Sequence, residues 1–94
     1  MQSNRTVNSS ITEIEITPIK PINGLVGFAS LVFNNSLYLG SIGIYTRPTG
    51  GFRLAYPTRP NPKGGINIFH PINKLIATEI EEKVIKKYEE IVSK

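Results

Sequence analysis

The stretch that decides the fold is "LVGFASLVFNNSLYLGSIGIY", residues 25–45. It lies within a longer run, residues 21–46, that carries no charged side chain. An apolar run of about 20 residues is the length of a membrane-crossing helix, but this composition argues for strands. Gly24, Gly27, Gly40 and Gly43 punctuate it, and Asn23, Asn34, Asn35 and three serines interrupt its apolar surface. The Asn34-Asn35 pair sits near the middle, and Asn tolerates the positive φ angles of a tight hairpin turn. Residues 25–33 are apolar on both faces and residues 37–45 nearly so, the pattern of two central strands.

On the N-terminal side, "ITEIEITPIK" alternates Ile11, Glu13 and Glu15 on one side with Ile14 and Ile16 on the other, a strand period. Pro18 and Pro21 lack an N–H for a ladder, so this strand is expected at an edge or ends early. "PING" supplies the turn into the central pair. Residues 1–10 are polar and are expected to form a flexible tail, leaving residues 11–94 as a single domain.

On the C-terminal side, Phe52, Leu54 and Tyr56 share one face of a short strand, with Arg53 and Ala55 opposite. By that alternation the aromatics and the cation do not form one interleaved platform. "PTRPNPKGG" reads as a long loop stiffened by three prolines and turned by Gly64-Gly65, and "INIF" as a short final strand. The period then changes. Ile76, Ile80, Val84, Tyr88 and Ile91 recur at steps of four and three, the apolar stripe of a helix. Glu79 with Lys83, and Glu82 with Lys86, form i,i+4 pairs in the favourable order. Asn73 can cap its first turn, and Thr78 with Glu81 forms a competing capping-box pattern; Pro71, with Leu75 and Ile76 expected to be buried, favours Asn73. The expected fold is α+β: a small, mostly antiparallel meander of about five strands with a C-terminal helix. A helix of roughly 18 residues, about 27 Å long, covers one face of such a sheet. The other face predicts a second copy of the chain.

Charge is unevenly distributed. The chain has 11 Lys and Arg against 7 acids, a net charge of +4, and every acid is a Glu. From Ile16 to Thr78 there is no acid, while Lys20, Arg47, Arg53, Arg59, Lys63 and Lys74 fall in that span. Such a surface attracts polyanions, although a basic balance also serves solubility alone.

The same inventory argues against an enzyme. There is no Cys and one His, so thiolate sites and a histidine-rich metal centre are excluded. His70 lacks the partners of a nucleophilic triad and reads better as a structural residue that holds the strand-to-helix corner through a ring nitrogen. Glu81 and Glu82 diverge on a helix, and the paired glycines are turns rather than a phosphate cradle. No cofactor, metal or small-molecule substrate is expected. The N-terminal segment has no apolar signal core, which gives a cytoplasmic expectation and makes the sequons at Asn4, Asn8 and Asn34 incidental. Arg59 and Lys63 remain, on a stiff segment with no acid nearby in sequence. Unpaired cations on a pre-ordered loop suit phosphate contact.

The ordered set "GFASLVFNNSLYLGSIGIY", "GGFRLAYPTR", "FHPIN" and "IEEKVIKKY" resembles the SpoVG family, the stage V sporulation protein G or septation regulator, from about Ile11 to Tyr88. The most specific parts are Gly51, Phe52 and Pro57 in a "G-F-x-x-x-x-P" run and the tetrad His70 to Asn73. The resemblance implies a small sheet with a C-terminal helix, a homodimer that binds DNA and also RNA, and a regulator of gene expression rather than an enzyme. It implicates the cation after Pro57-Thr58, here Arg59, and the start of the helix, here Lys74 and Thr78. Two adjacent cations are common in the family at the first place, whereas Arg59 is followed by Pro60 and the second cation, Lys63, lies further on. Gly43 stands where a cation is frequent. The candidate nucleic-acid contacts are thus Arg59, Lys63, Lys74, Arg47 and Arg53. The alternative reading is a protein-interaction module that does not touch nucleic acid.

Overall fold

The structure, a computed structural model, describes residues 10–93. The expected tail therefore lies, except for Ser10, outside the described residues. Three long strands follow one another: β1 (Ile11–Ile22), β2 (Leu25–Phe33) and β3 (Leu37–Thr46). With the short β4 (Phe52–Ala55) they form an antiparallel sheet in the order β1-β2-β3-β4. A separate antiparallel ribbon pairs β5 (Thr58–Asn61) with β6 (Gly64–Asn67), and α1 (Lys74–Val92) closes the chain. The α+β class and the antiparallel sheet with one C-terminal helix stand as expected, and the strands divide four and two. No described helix is long and apolar enough to cross a membrane.

Turn chemistry sets the first two hairpins. Asn23 (φ 51°) and Gly24 (φ 88°) occupy the two positions between the paired Ile22 and Leu25. Asn34 (φ 55°) and Asn35 (φ 52°) begin the three-residue connection between the paired Phe33 and Leu37. Both pairs are left-handed at successive residues, the turn that matches the right-handed twist of the strands it joins. Ser36 N–H donates to Phe33 O at 3.0 Å and closes the second turn. The edge position of β1 accommodates Pro18 and Pro21, and a register shift between Pro18 and Ile22 lets the strand continue past them.

Two departures in β1 and β3 reset the faces. Glu13 has φ 52° inside a register shift between Thr12 and Glu15, so the strict alternation expected for β1 breaks there. Ile11 is buried with the core, joined by Ile14 and Ile16, and is not on the side of Glu15. Ser41 (φ 59°) marks the matching irregularity in β3. A bulge adds one residue to one strand and flips the side-chain phase beyond it.

The helix supplies the other half of the core. Its buried stripe, Ile80, Val84 and Tyr88, joins Ile11, Val26, Ala29, Leu31, Ile42 and Ile44 in one cluster. Gly27 makes room for the Tyr88 ring: a Cβ there would meet Tyr88 Cε1 at 3.5 Å and the carbonyl oxygen of Thr17 at 3.1 Å. The Phe52 ring meets Tyr88 edge-on at 5.1 Å, which ties β4 to the same face. Asn73 is the cap, its side chain accepting from Ile76 N–H at 3.1 Å. Glu79 and Lys83 approach to 3.9 Å, whereas Glu82 and Lys86 form no salt bridge. Leu75, expected to be buried, is 81% exposed: the cap turns Ile76 inward, and its neighbour consequently points away from the sheet.

Replacing Ile80 by Ala is expected to cost about 2–5 kcal/mol, because the cavity forms where helix and sheet meet. Leu75→Ala should change stability by less than about 0.5 kcal/mol. Urea unfolding followed by circular dichroism separates the two, and equal losses would contradict this assignment of faces.

Candidate functional site

The segment read as a loop at residues 57–65 is mostly ribbon. Thr58 pairs with Asn67, Arg59 with Ile66, Pro60 with Gly65 and Asn61 with Gly64. Periodicity did not reveal it, because three prolines in nine residues normally rule out a strand. The ribbon is only two strands wide, so Pro60 sits at an edge where no ladder bond is demanded of it. Asn61 Oδ1 accepts from Lys63 N–H at 2.7 Å, and Gly64 adopts φ 116°, which together shape the turn. Ile68 N–H donates to Pro57 O at 2.8 Å and closes the base of the ribbon.

The five candidate cations fall into three environments. Arg59 and Lys63 lie on the ribbon and Lys74 opens α1; all three are exposed and, among the described residues, none makes an ion pair. Lys74 adds positive charge to the positive end of the helix, and the first turn has no acid to offset it. Its charge is thus unfavourable for the helix itself. Arg47 differs. Its Nε–H donates to Phe52 O at 3.0 Å and its Nη2 lies 3.6 Å from Glu81 Oε2, so it braces the β3–β4 turn against α1. Arg53 stands over the Tyr45 ring, its guanidinium carbon 4.7 Å from the centroid, a cation–π contact. The structure therefore brings Arg59 and Lys63 onto one ribbon and leaves Arg47 in the β3–β4 turn and Arg53 on β4, each with a partner of its own.

The Arg53 contact changes one sequence reading. Arg53 does oppose Leu54 and Phe52, whose cross-strand partners are Ile44 and Thr46. Yet its own row contains Tyr45, so an aromatic joins the cation from the neighbouring strand. The face of a strand is legible from its own alternation; its row partners depend on register.

At the corner, the Nδ1–H tautomer of His70 donates to Pro71 O at 3.2 Å, the ring-nitrogen bond expected of a structural residue. Beside it, Phe33, Leu37, Leu39, Tyr56, Phe69 and Ile72 line an apolar groove of about 280 Å³. Ile72 is 93% exposed at its edge.

The comparisons with known proteins bear on this arrangement. The family model for SpoVG matches residues 9–90. This chain belongs to the SpoVG family. A relative from Caldicellulosiruptor saccharolyticus, named "Putative septation protein SpoVG", is 31% identical over 84 residues, covering 88% of this chain and 94% of its own length. A protein of the same name from Phytoplasma australiense is also 31% identical over 84 residues, covering 88% of this chain and 86% of its own. One from Staphylococcus saprophyticus is 28% identical over 81 residues, 85% of this chain and 79% of the relative. The match spans the sheet, the ribbon and nearly all of the helix.

Tyr56 links the ribbon to the rest of the molecule. Its ring meets Phe69 edge-on at 6.0 Å, and its phenol is pushed up from the ordinary 10.0 to about 12, first by burial and then by the charge of Glu81. A folded-state value above the unfolded one means that the folded state holds this proton more tightly. Its contribution to stability is complete below pH 10.0 and is lost as the pH rises through about 12. In thermal melts across that window, Tyr56→Phe should lose less stability with rising pH than the unsubstituted protein. Parallel losses in both would show that Tyr56 does not carry the shift.

Proposed function

We propose that this SpoVG-family chain is a cytoplasmic, non-enzymatic regulator that binds DNA, and RNA as well, as a homodimer, and that it acts in the septation and sporulation control for which the family is named. One observation carries the reading: Arg59 and Lys63 project from a proline-stiffened ribbon with no counter-ion among the described residues. Lys74 adds a third such charge. Proline limits the freedom these side chains' backbone would lose on binding, and a polyphosphate backbone supplies the counter-charges the protein does not.

The split among the five candidates sharpens the expectation. Arg47 already has Glu81 and Arg53 already has Tyr45, so the primary phosphate contacts are Arg59, Lys63 and Lys74. We assign the second copy to the apolar groove, whose rim exposes Leu37 and Ile72, rather than to the sheet face opposite α1 that the sequence suggested, because that face carries the polar hollow around Glu15. The same groove favours the other reading, a module that recruits a protein partner, and capture that persists at high salt after nuclease treatment would support it.

Three contacts from each of two protomers give a slope of log K against log salt of about −5 on duplex DNA, and a single protomer about −3. Fluorescence anisotropy over a salt series reads that slope. Arg59→Glu with Lys63→Glu should abolish binding while leaving the mass by light scattering unchanged, whereas Arg47→Glu should mainly destabilise the fold. Binding that is indifferent to salt, or to the double substitution, would sink the proposal.

A further inference from the structure

The face of the sheet turned away from α1 has a chemistry of its own. Tyr38 and Tyr45 lie near the two ends of the near-palindrome "YLGSIGIY", each two residues outside a glycine. In both cases the ring folds inward over that glycine. A Cβ on Gly40 would sit 2.9 Å from Tyr38 Cε2, and one on Gly43 would sit 3.1 Å from Tyr45 Cε2. Both rings therefore lie close over a glycine of their own strand, and Tyr38 is 73% exposed. Arg53 covers Tyr45. Tyr38 borders a polar depression of about 310 Å³ lined also by Glu15, Thr17, Phe28, Ser30 and Ser41. The bulges at Glu13 and Ser41 flank this hollow in the chain and set the phase that turns Glu15 to the outer face, opposite Ser30. Among the described residues the Glu15 carboxylate makes no ion pair or hydrogen bond.

We propose that this depression binds an unpaired nucleobase carrying an exocyclic amino group, within a single strand lying along β3. The proposal rests on the nucleic-acid reading above and adds a site distinct from the ribbon. An exposed tyrosine with Phe28 beside it is a stacking surface, and base stacking on aromatic side chains is how single strands are held without a duplex. A carboxylate accepts from the amino group of cytosine or adenine but faces an oxygen in thymine or uracil. Glu15 thus selects rather than merely repels, while the hydroxyls of Ser30 and Ser41 supply secondary contacts. From Tyr38 to Tyr45 the strand runs about 20 Å, and Arg53 marks the far end with a cation for the strand's phosphates. A second copy fits this face poorly, because a two-fold axis through the hollow would set Glu15 against Glu15.

The test is anisotropy on labelled single strands of about 12 nucleotides, all cytidine or all thymidine, with the full chain. Tyr38→Ala should weaken cytidine-strand binding at least about fivefold and leave the salt slope unchanged, because it removes stacking and no charge. Tyr38→Trp should retain affinity and report contact by fluorescence quenching, in a chain that has no other Trp. Glu15→Gln, whose amide both donates and accepts, should bring the cytidine-to-thymidine preference from about fivefold or more toward one. Arg59→Glu with Lys63→Glu should instead abolish binding of both strands alike. If the ribbon variant loses binding while Tyr38→Ala and Glu15→Gln match the unsubstituted protein, the base site is refuted and the phosphate reading survives. Tyr38→Ala that dissociates a dimer would mark the face as a contact between copies and overturn the proposal. Failure to bind any nucleic acid would overturn both readings.

Discussion

The burial of one helical stripe against one face of the sheet is the constraint on which the molecule depends. Ile80, Val84 and Tyr88 are the buried side chains of α1, and they complete a cluster whose other members come from β1, β2 and β3. Each such side chain is worth about 1.5–3 kcal/mol when withdrawn from water, and a four-stranded sheet with one bare apolar face would not persist without them. Gly27 is part of that contact, since the approach of Tyr88 to β2 leaves little space for a side chain at that position. Phe52 extends it to β4, and the Arg47–Glu81 pair fastens the turn between β3 and β4 to the same helix.

Once the helix has taken one face, the remaining surface is sorted by chemistry. The ribbon stands apart from the main sheet and carries Arg59 and Lys63, which make no ion pair among the described residues. The outer face of the sheet keeps Tyr38, Phe28 and Glu15 around a polar hollow, with Tyr45 further along β3 under Arg53. The corner between ribbon and helix holds an apolar groove with Leu37 and Ile72 at its margin. Exposed cations, an aromatic-bordered polar hollow and an apolar groove thereby occupy separate places on the surface.

Local signals in the chain were legible where the physics is local. Asn34-Asn35 announces its turn because few other residues accept left-handed backbone there, and Asn73 announces the helix start because its amide oxygen meets an otherwise orphaned N–H. The 3.6-residue stripe of α1 and the edge position of the proline-bearing β1 belong to the same class. Bulges leave no such mark. Glu13 and Ser41 are ordinary residues in left-handed conformation, held there by pairing on both sides, and through Glu13 the phase of Ile11 was misjudged. The β5–β6 ribbon was hidden by Pro57, Pro60 and Pro62, whose cost depends on whether a neighbouring strand needs their missing N–H.

The candidate site divides in the same way. The sequence by itself determined the membership of the SpoVG family, the absence of acids from Ile16 to Thr78, and the cations that a polyanion would meet. Only the tertiary structure decided which of those cations remain unpaired, because Arg47 finds Glu81 and Arg53 finds Tyr45 across elements that no linear spacing connects. It also decided that the Tyr38 and Tyr45 rings come close over Gly40 and Gly43 and that Glu15 shares a hollow with Phe28. Charge and turn propensity are properties of residues, but pairing is a property of register, and register exists only after the sheet has formed.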